Sequence, residues 1–159
     1  WSKDYRLTWD DFQGRVQGGS QDIAHTSTGI NPIYEYKGKN LDIDIKSLFD
    51  KKRSWVKKNE ASDDLLSHEQ YHFNLTEVFA RKIRKVLAEH KFKKKTVQKD
   101  IEKIYKKIMS EHWGKQDLYD KDTNHSIIKS KQQTWENHID EQLKELESYS
   151  NPRLSLPVK

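Results

Sequence analysis

The chain has no cysteine, one methionine, three prolines and six glycines among 159 residues. Without cysteine there is no disulfide framework, thiolate nucleophile, iron–sulfur site or cysteine-based zinc knuckle, although the compartment stays open. Long hydrophobic runs are also missing. The longest apolar stretch is a few residues, far below the roughly 20 that a helix needs to cross a bilayer, so no transmembrane segment is expected. Hydrophobic residues make up only 33% of the chain and the mean hydropathy is strongly negative. Aromatics at 11%, five tryptophans among them, supply large apolar anchors that let a small core form despite this. The length fits one domain over residues 1–159. The chain starts at Trp1, which is read as the mark of a processed or trimmed chain, with any targeting segment upstream of it.

The texture of residues 1–50 is mainly β. Leu7, Trp9 and Phe12 sit among polar residues, Gln13 to Ser20 is a glycine-rich loop, and Ile23 to Ile30 and Ile33 to Tyr36 carry β-branched and aromatic residues broken by Asn31-Pro32. Leu41, Ile43 and Ile45 alternate with Asp42, Asp44 and Lys46, the period of a strand with one wet face. Three or four short antiparallel strands are predicted. No glycine or proline occurs from 56 to 113, and residues 62–149 read as mainly helical. Ser62 caps a first helix running to about His90. A second carries Val97, Ile101, Ile104 and Ile108 and is predicted to end near Trp113-Gly114, leaving Lys115 to Asn124 as a loop. A third runs from about His125 to Tyr149.

His68-Glu69-Gln70-Tyr71-His72 matches the H-E-x-x-H pattern. On a wheel of about 100° per residue, Leu65, Phe79, Ile83, Val86 and Leu87 cluster within about 60° of one direction, and His68, Glu69 and His72 point the same way. Two imidazoles and a carboxylate aimed at a core are costly unless something compensates them, and a metal ion does so. Imidazoles one turn apart reach a single ion while the intervening glutamate leans toward water, and zinc suits that donor set best.

Such a site needs a third protein ligand. A metzincin is excluded, because Val78 and Leu75 stand where that subclass has histidine and glycine. His90 lies about 27 Å along the helix axis from His72 at 1.5 Å per residue and cannot reach. His125 is favoured, since it opens the apolar face of the third helix, whereas His138 points off that stripe. His25, His112, Glu111 and Glu136 stay open.

The sequence also resembles a bacterial family of secreted zinc-dependent proteases classed among the domains of unknown function. The matching stretches are Trp9–Gly14, Thr26–Ile30, Ser54–Val56, Leu65–Phe73, Arg81 and Tyr119–His125. The resemblance implies an α+β, zincin-like fold, with a small N-terminal antiparallel sheet followed by three helices including the H-E-x-x-H helix. It also implies His68, His72 and His125 as ligands of Zn2+, Glu69 as the catalytic carboxylate, and a secreted, periplasmic or cell-envelope location. Ser126 departs from the pattern, which has glycine there.

The expected activity is a zinc metallopeptidase acting on a peptide or protein substrate, with Glu69 as general base and then general acid. For the oxyanion, Tyr119 is favoured over Tyr71 and His112, because it precedes His125 in a loop expected near the metal. Zincins lay peptides along a sheet edge, and Thr26 to Ile30 resembles such a strand. Asp120 and Asp122 are available to accept the outer imidazole N–H groups. The rival reading is a non-catalytic metal-binding or polyanion-binding envelope domain. Arg81 to Lys107 holds twelve Lys and Arg residues, but charge runs usually form solvated faces and no nucleic-acid motif accompanies this one, so nucleic acid is not expected as a partner.

Overall fold

Leu41, Ile43 and Ile45 are fully buried while Asp42 and Asp44 stay partly wet, as the alternation requires. They form the centre of a sheet in a computed structural model that describes residues 1–159. In chain order the elements are β1 (Ala24–His25), β2 (Thr28–Lys37), β3 (Asn40–Phe49), β4 (Trp55–Val56), α1 (Asp63–Glu89), α2 (Val97–Thr123), α3 (Lys129–Glu145) and β5 (Arg153–Pro157). The architecture is α+β. β3 lies between β2 and β5 and is antiparallel to both, with Tyr34 opposite Ile43 and Leu41 opposite Leu156. β1 and β4 form a separate two-stranded pair.

Ser62 accepts a hydrogen bond from the Leu65 N–H and caps α1, a contribution of about 1 kcal/mol, and Asp63 and Asp64 complement the helix dipole. One face of α1 places Leu75, Val78, Phe79, Ile83 and Leu87 against Leu41, Ile43 and Ile45. Each fully buried aliphatic or aromatic side chain contributes roughly 1.5–3 kcal/mol, so this layer holds the helix rigidly on the sheet. Val86, expected on that face, is 39% exposed. A second, smaller apolar cluster of Leu7, Phe12, Val56 and Phe73 covers the first half of α1.

Several boundaries differ from the sequence reading, each for a physical reason. Leu7 to Phe12 forms no strand; Trp9–Asp11 is a single 3-10 turn whose neighbours are held by apolar packing. β2 continues through Pro32 because it is an edge strand. Ile45, opposite Pro32, donates its N–H to Pro152 on the other side, so no ladder bond is lost. Gly14 donates its N–H to the Ser54 carbonyl at 2.7 Å, and a Cβ there would meet backbone oxygens at 2.7 and 2.8 Å. That close approach explains why glycine stands at this position.

The largest difference is in α2, which passes Gly114 and continues to Thr123. Glycine costs a helix interior about 1 kcal/mol. Buried Ile108, His112, Gln116, Tyr119 and Thr123 carry one stripe across it at helical spacing, and their packing outweighs that cost. α3 starts at Lys129 and not at His125, because Asn124, His125 and Ser126 all adopt the left-handed conformation, with φ of 47°, 51° and 74°. β5 was not foreseen; it adds the third strand to what the sequence suggested was an N-terminal sheet. No helix is long and apolar enough to cross a membrane.

Candidate metal centre

The first half of α1 puts His68 and His72 one turn apart, with His68 only 1% exposed. Their rings stand perpendicular, 4.7 Å between centroids. The His68 ring stacks on Tyr119 of α2 at 4.5 Å, which fixes its plane. The extended α2 brings Asp120 to the same point. His68 Nε2 and His72 Nε2 lie 3.1 Å apart, and Asp120 Oδ1 lies 3.0 Å from the first and 2.9 Å from the second. These are the three ligand atoms of the protein's candidate metal group.

The outer nitrogens settle which way the rings face. Gln132 donates its Nε2 hydrogens to Glu136 Oε1, an obligate acceptor, and to the Tyr119 hydroxyl, so its Oε1 faces His68 Nδ1 at 3.0 Å. Gln116 likewise donates to the His72 carbonyl, and its Oε1 faces His72 Nδ1 at 2.6 Å. An amide oxygen only accepts, so both Nδ1 atoms hold a hydrogen and both rings turn Nε2 toward the centre. The two Nε2 atoms and the carboxylate oxygen converge at hydrogen-bond distance, on a point that a proton or a metal cation can occupy. Their edges of 2.9 to 3.1 Å are close to the roughly 3.3 Å between ligands of a tetrahedral zinc at about 2.0–2.1 Å. The donor set fits zinc.

Titration follows the same geometry. Burial alone lowers His72, but the Asp120 carboxylate and Glu69 outweigh it and lift the imidazole to about 9. Burial raises Asp120, yet hydrogen bonds from His68 and His72 hold it far below the usual carboxylate range. Both shifts mark one demand for positive charge where the three atoms meet. His112, in contrast, is pushed down to about 4 by burial and by the neighbouring His72.

A cleft of about 170 Å3 opens on this point, lined by Glu69, His72, Asp120 and His125 together with Thr26, Thr28 and residues of β1 and α2. Glu69 is 4% exposed, faces the cleft and accepts no hydrogen bond from the protein. The segment Thr26 to Ile30 contributes Thr26 and Thr28 to the lining, and the Thr26 hydroxyl is buried without a partner.

The residues singled out in the sequence are thus brought to one end of the molecule, in roles that differ in three places. His125 sits beside the triangle and not in it: its Nδ1 is 3.5 Å from Asp120 Oδ1 and its side chain is 56% exposed on the left-handed turn. Asp120 fills the third position. Tyr119 is fully buried on a helix, not exposed on a loop; its hydroxyl donates to the His68 carbonyl at 3.3 Å and accepts from Gln132, so it braces His68 instead of facing the cleft. Tyr71 donates to Asp140, and His112 is buried behind His72, so neither replaces it. The outer imidazole N–H groups go to Gln116 and Gln132, not to Asp120 or Asp122; Asp122 accepts from the Trp135 indole. Glu111 lies in a separate groove between α1 and α2, and Glu136 is bonded to Ser67 and Gln132.

Gln116, and Asp120 as a candidate ligand instead of an outer acceptor, escaped sequence reading because that stripe of α2 turns from apolar to polar where it meets the site. His112, Gln116 and Asp120 recur every four residues, and that spacing was the available signal.

A family model described as "Bacterial protein of unknown function (DUF922)" matches residues 2–126. The chain belongs to this family. The matched span contains His68, Glu69, His72, Gln116, Asp120 and His125, whereas Gln132 on α3 lies beyond it. No curated protein and no solved structure matches the chain.

Proposed function

We propose that this DUF922 protein is a zinc-dependent metallopeptidase of zincin type, acting in or beyond the cell envelope. The observation that carries the reading is the convergence of His68 Nε2, His72 Nε2 and Asp120 Oδ1 within 3.1 Å, beside a nearly buried glutamate that faces an open cleft. Two imidazoles one turn apart, each with its outer N–H committed to a glutamine and its inner nitrogen turned onto the same carboxylate oxygen, have the geometry of a cation site.

His68, His72 and Asp120 would hold the zinc, with His125 adjoining them. Zinc in such a site supplies Lewis acidity toward a water and a substrate carbonyl. Glu69 takes the proton of the attacking water and returns it to the leaving amine, so one carboxylate serves as base and then acid. Its lack of any internal partner leaves it free for both transfers. Gln116 and Gln132 hold the two imidazoles in the tautomer that presents Nε2, and Tyr119 keeps the His68 ring flat. With Tyr119 withdrawn into the wall, His125 is the exposed donor next to Asp120, and it takes over the stabilisation of the oxyanion. Thr26 and Thr28 border the space where an extended peptide reaches Glu69.

The deciding experiment loads the protein with zinc and presents a peptide library. One equivalent of zinc and cleavage are expected, with Glu69→Gln keeping the zinc and losing turnover by at least about a hundredfold. Asp120→Ala is expected to lose zinc affinity, whereas His125→Ala keeps it and loses turnover. Retained affinity in Asp120→Ala with loss in His125→Ala would restore His125 as the third ligand, and absence of stoichiometric zinc would overturn the proposal.

A further inference from the structure

The protein carries 30 Lys and Arg against 25 Asp and Glu, yet its cleft reverses that balance. Four carboxylates line it, those of Asp22, Glu69, Asp117 and Asp120, and no Lys or Arg does. Two of the four belong to the chemistry already described. Asp22, just ahead of β1, and Asp117, on α2, do not. Asp11 pairs with Lys51, Asp44 with Lys46 and Asp64 with Lys129. Asp22 and Asp117 form no ion pair, and Asp22 accepts only from Ser20 nearby.

Two further observations point to a ligand. Glu69 is more than nine-tenths buried and unpartnered, and it is aimed into the same space. Trp113, on α2 and in the same lining, is 52% exposed although it is the largest apolar side chain there. An exposed indole beside uncompensated carboxylates is the chemistry that receives a Lys or Arg side chain, through the ring face and the charges together. A divalent ion is offset by Asp120 and Glu69, which leaves the charges of Asp22 and Asp117 uncompensated in the occupied site.

Resting on the peptidase reading, we infer that the cleft selects peptides with a Lys or Arg side chain next to the bond being cut, held by Asp22, Asp117 and Trp113, and rejects acidic ones. The flanking cation meets carboxylates contributed by the strand side and by α2, and a flanking Glu meets repulsion from both. Because Asp22 and Asp117 are solvent-exposed, the discrimination weakens as salt rises.

The test uses the zinc-loaded full chain and three peptide pools, random except for one fixed position occupied by Lys, Gln or Glu. The Lys pool is expected to be cleaved with kcat/KM about tenfold above the Glu pool, narrowing toward parity in 1 M salt. The double variant Asp22→Lys/Asp117→Lys should invert that order at unchanged zinc content, and Trp113→Ala should lower the Lys advantage several-fold. Equal cleavage of the pools, or preference for Glu, overturns the inference. Where no pool is cleaved, fluorescence anisotropy of labelled pools on zinc-loaded Glu69→Gln separates the two claims. Tighter binding of the Lys pool upholds the charge selection while the peptidase reading fails, and indistinguishable binding of the three pools removes both.

Discussion

α1 carries two buried polar clusters barely two turns apart, and they are built in opposite ways. In the second, Glu77 Oε1 accepts from Arg81 Nε at 3.0 Å and Arg84 Nη1 at 3.0 Å, and Oε2 accepts from the Ser47 hydroxyl at 2.6 Å. The remaining Arg84 donors reach the Ile45 and Tyr149 carbonyls, and Arg81 reaches Leu143 and Glu147. Glu77 and Glu147 balance the two guanidinium charges, so the cluster ties α1 to β3 and to the end of α3 without help from a ligand. In the first cluster His68 Nε2, His72 Nε2 and Asp120 Oδ1 meet at one point that opens on a cleft. Burial of polar side chains on one helix therefore does not by itself mark a functional site; convergence of ligand atoms beside an open cleft does.

That contrast breaks most visibly in the network of arginines. Arg84→Ala takes one of its two arginine partners from the buried Glu77 and removes the donors to the Ile45 and Tyr149 carbonyls, and is expected to cost about 3–5 kcal/mol in urea unfolding, while zinc stoichiometry in the folded fraction stays at one. Zinc itself gives the next largest effect. At a free concentration of 100 times Kd it should add about 2.7 kcal/mol to the wild type, an increment that a chelator abolishes and that His72→Ala never shows. Thermal unfolding with and without chelator reads this directly, and an equal response in His72→Ala would erase the distinction between the clusters.

Smaller effects separate the ligands from their supports. Gln116→Ala and Gln132→Ala free the outer nitrogens and let the rings tautomerise, so zinc affinity should fall by about 10–100-fold in competition titrations. Smallest of all is Ser126→Gly. Ser126 has φ of 74° at the turn that holds His125, and glycine there should raise stability by roughly 0.5–1 kcal/mol. A loss of stability would mean that the serine side chain, which is largely buried, matters more than the backbone.

The parts of this arrangement legible in the sequence were those written in apolar periodicity or in a compact motif. The alternation around Ile43, the cap at Ser62, and the inward aim of His68, Glu69 and His72 all depend on local spacing, and the structure has each of them. The α2 extension was hidden because its continuation is His112, Gln116, Tyr119 and Thr123, residues that look solvated until a partner surface is supplied. Tyr119 changed role for the same reason: on a helix it stacks against His68, whereas a loop would have left it free. The position of His125 depends on three consecutive residues with positive φ, and none of them is glycine. The pairing of β5 with β3 joins residues more than a hundred apart, which no local pattern reports.

That last pairing has a kinetic consequence. The segment from β3 to β5 encloses all three long helices, and closing a loop of such length must precede any reward from Leu41 meeting Leu156. The helices are expected to dock first and the tail to zip into place late, bringing the Phe92–Val158 bridge with it. A chain emerging in N-to-C order would then hold its chemistry in a loosened state until β5 arrives.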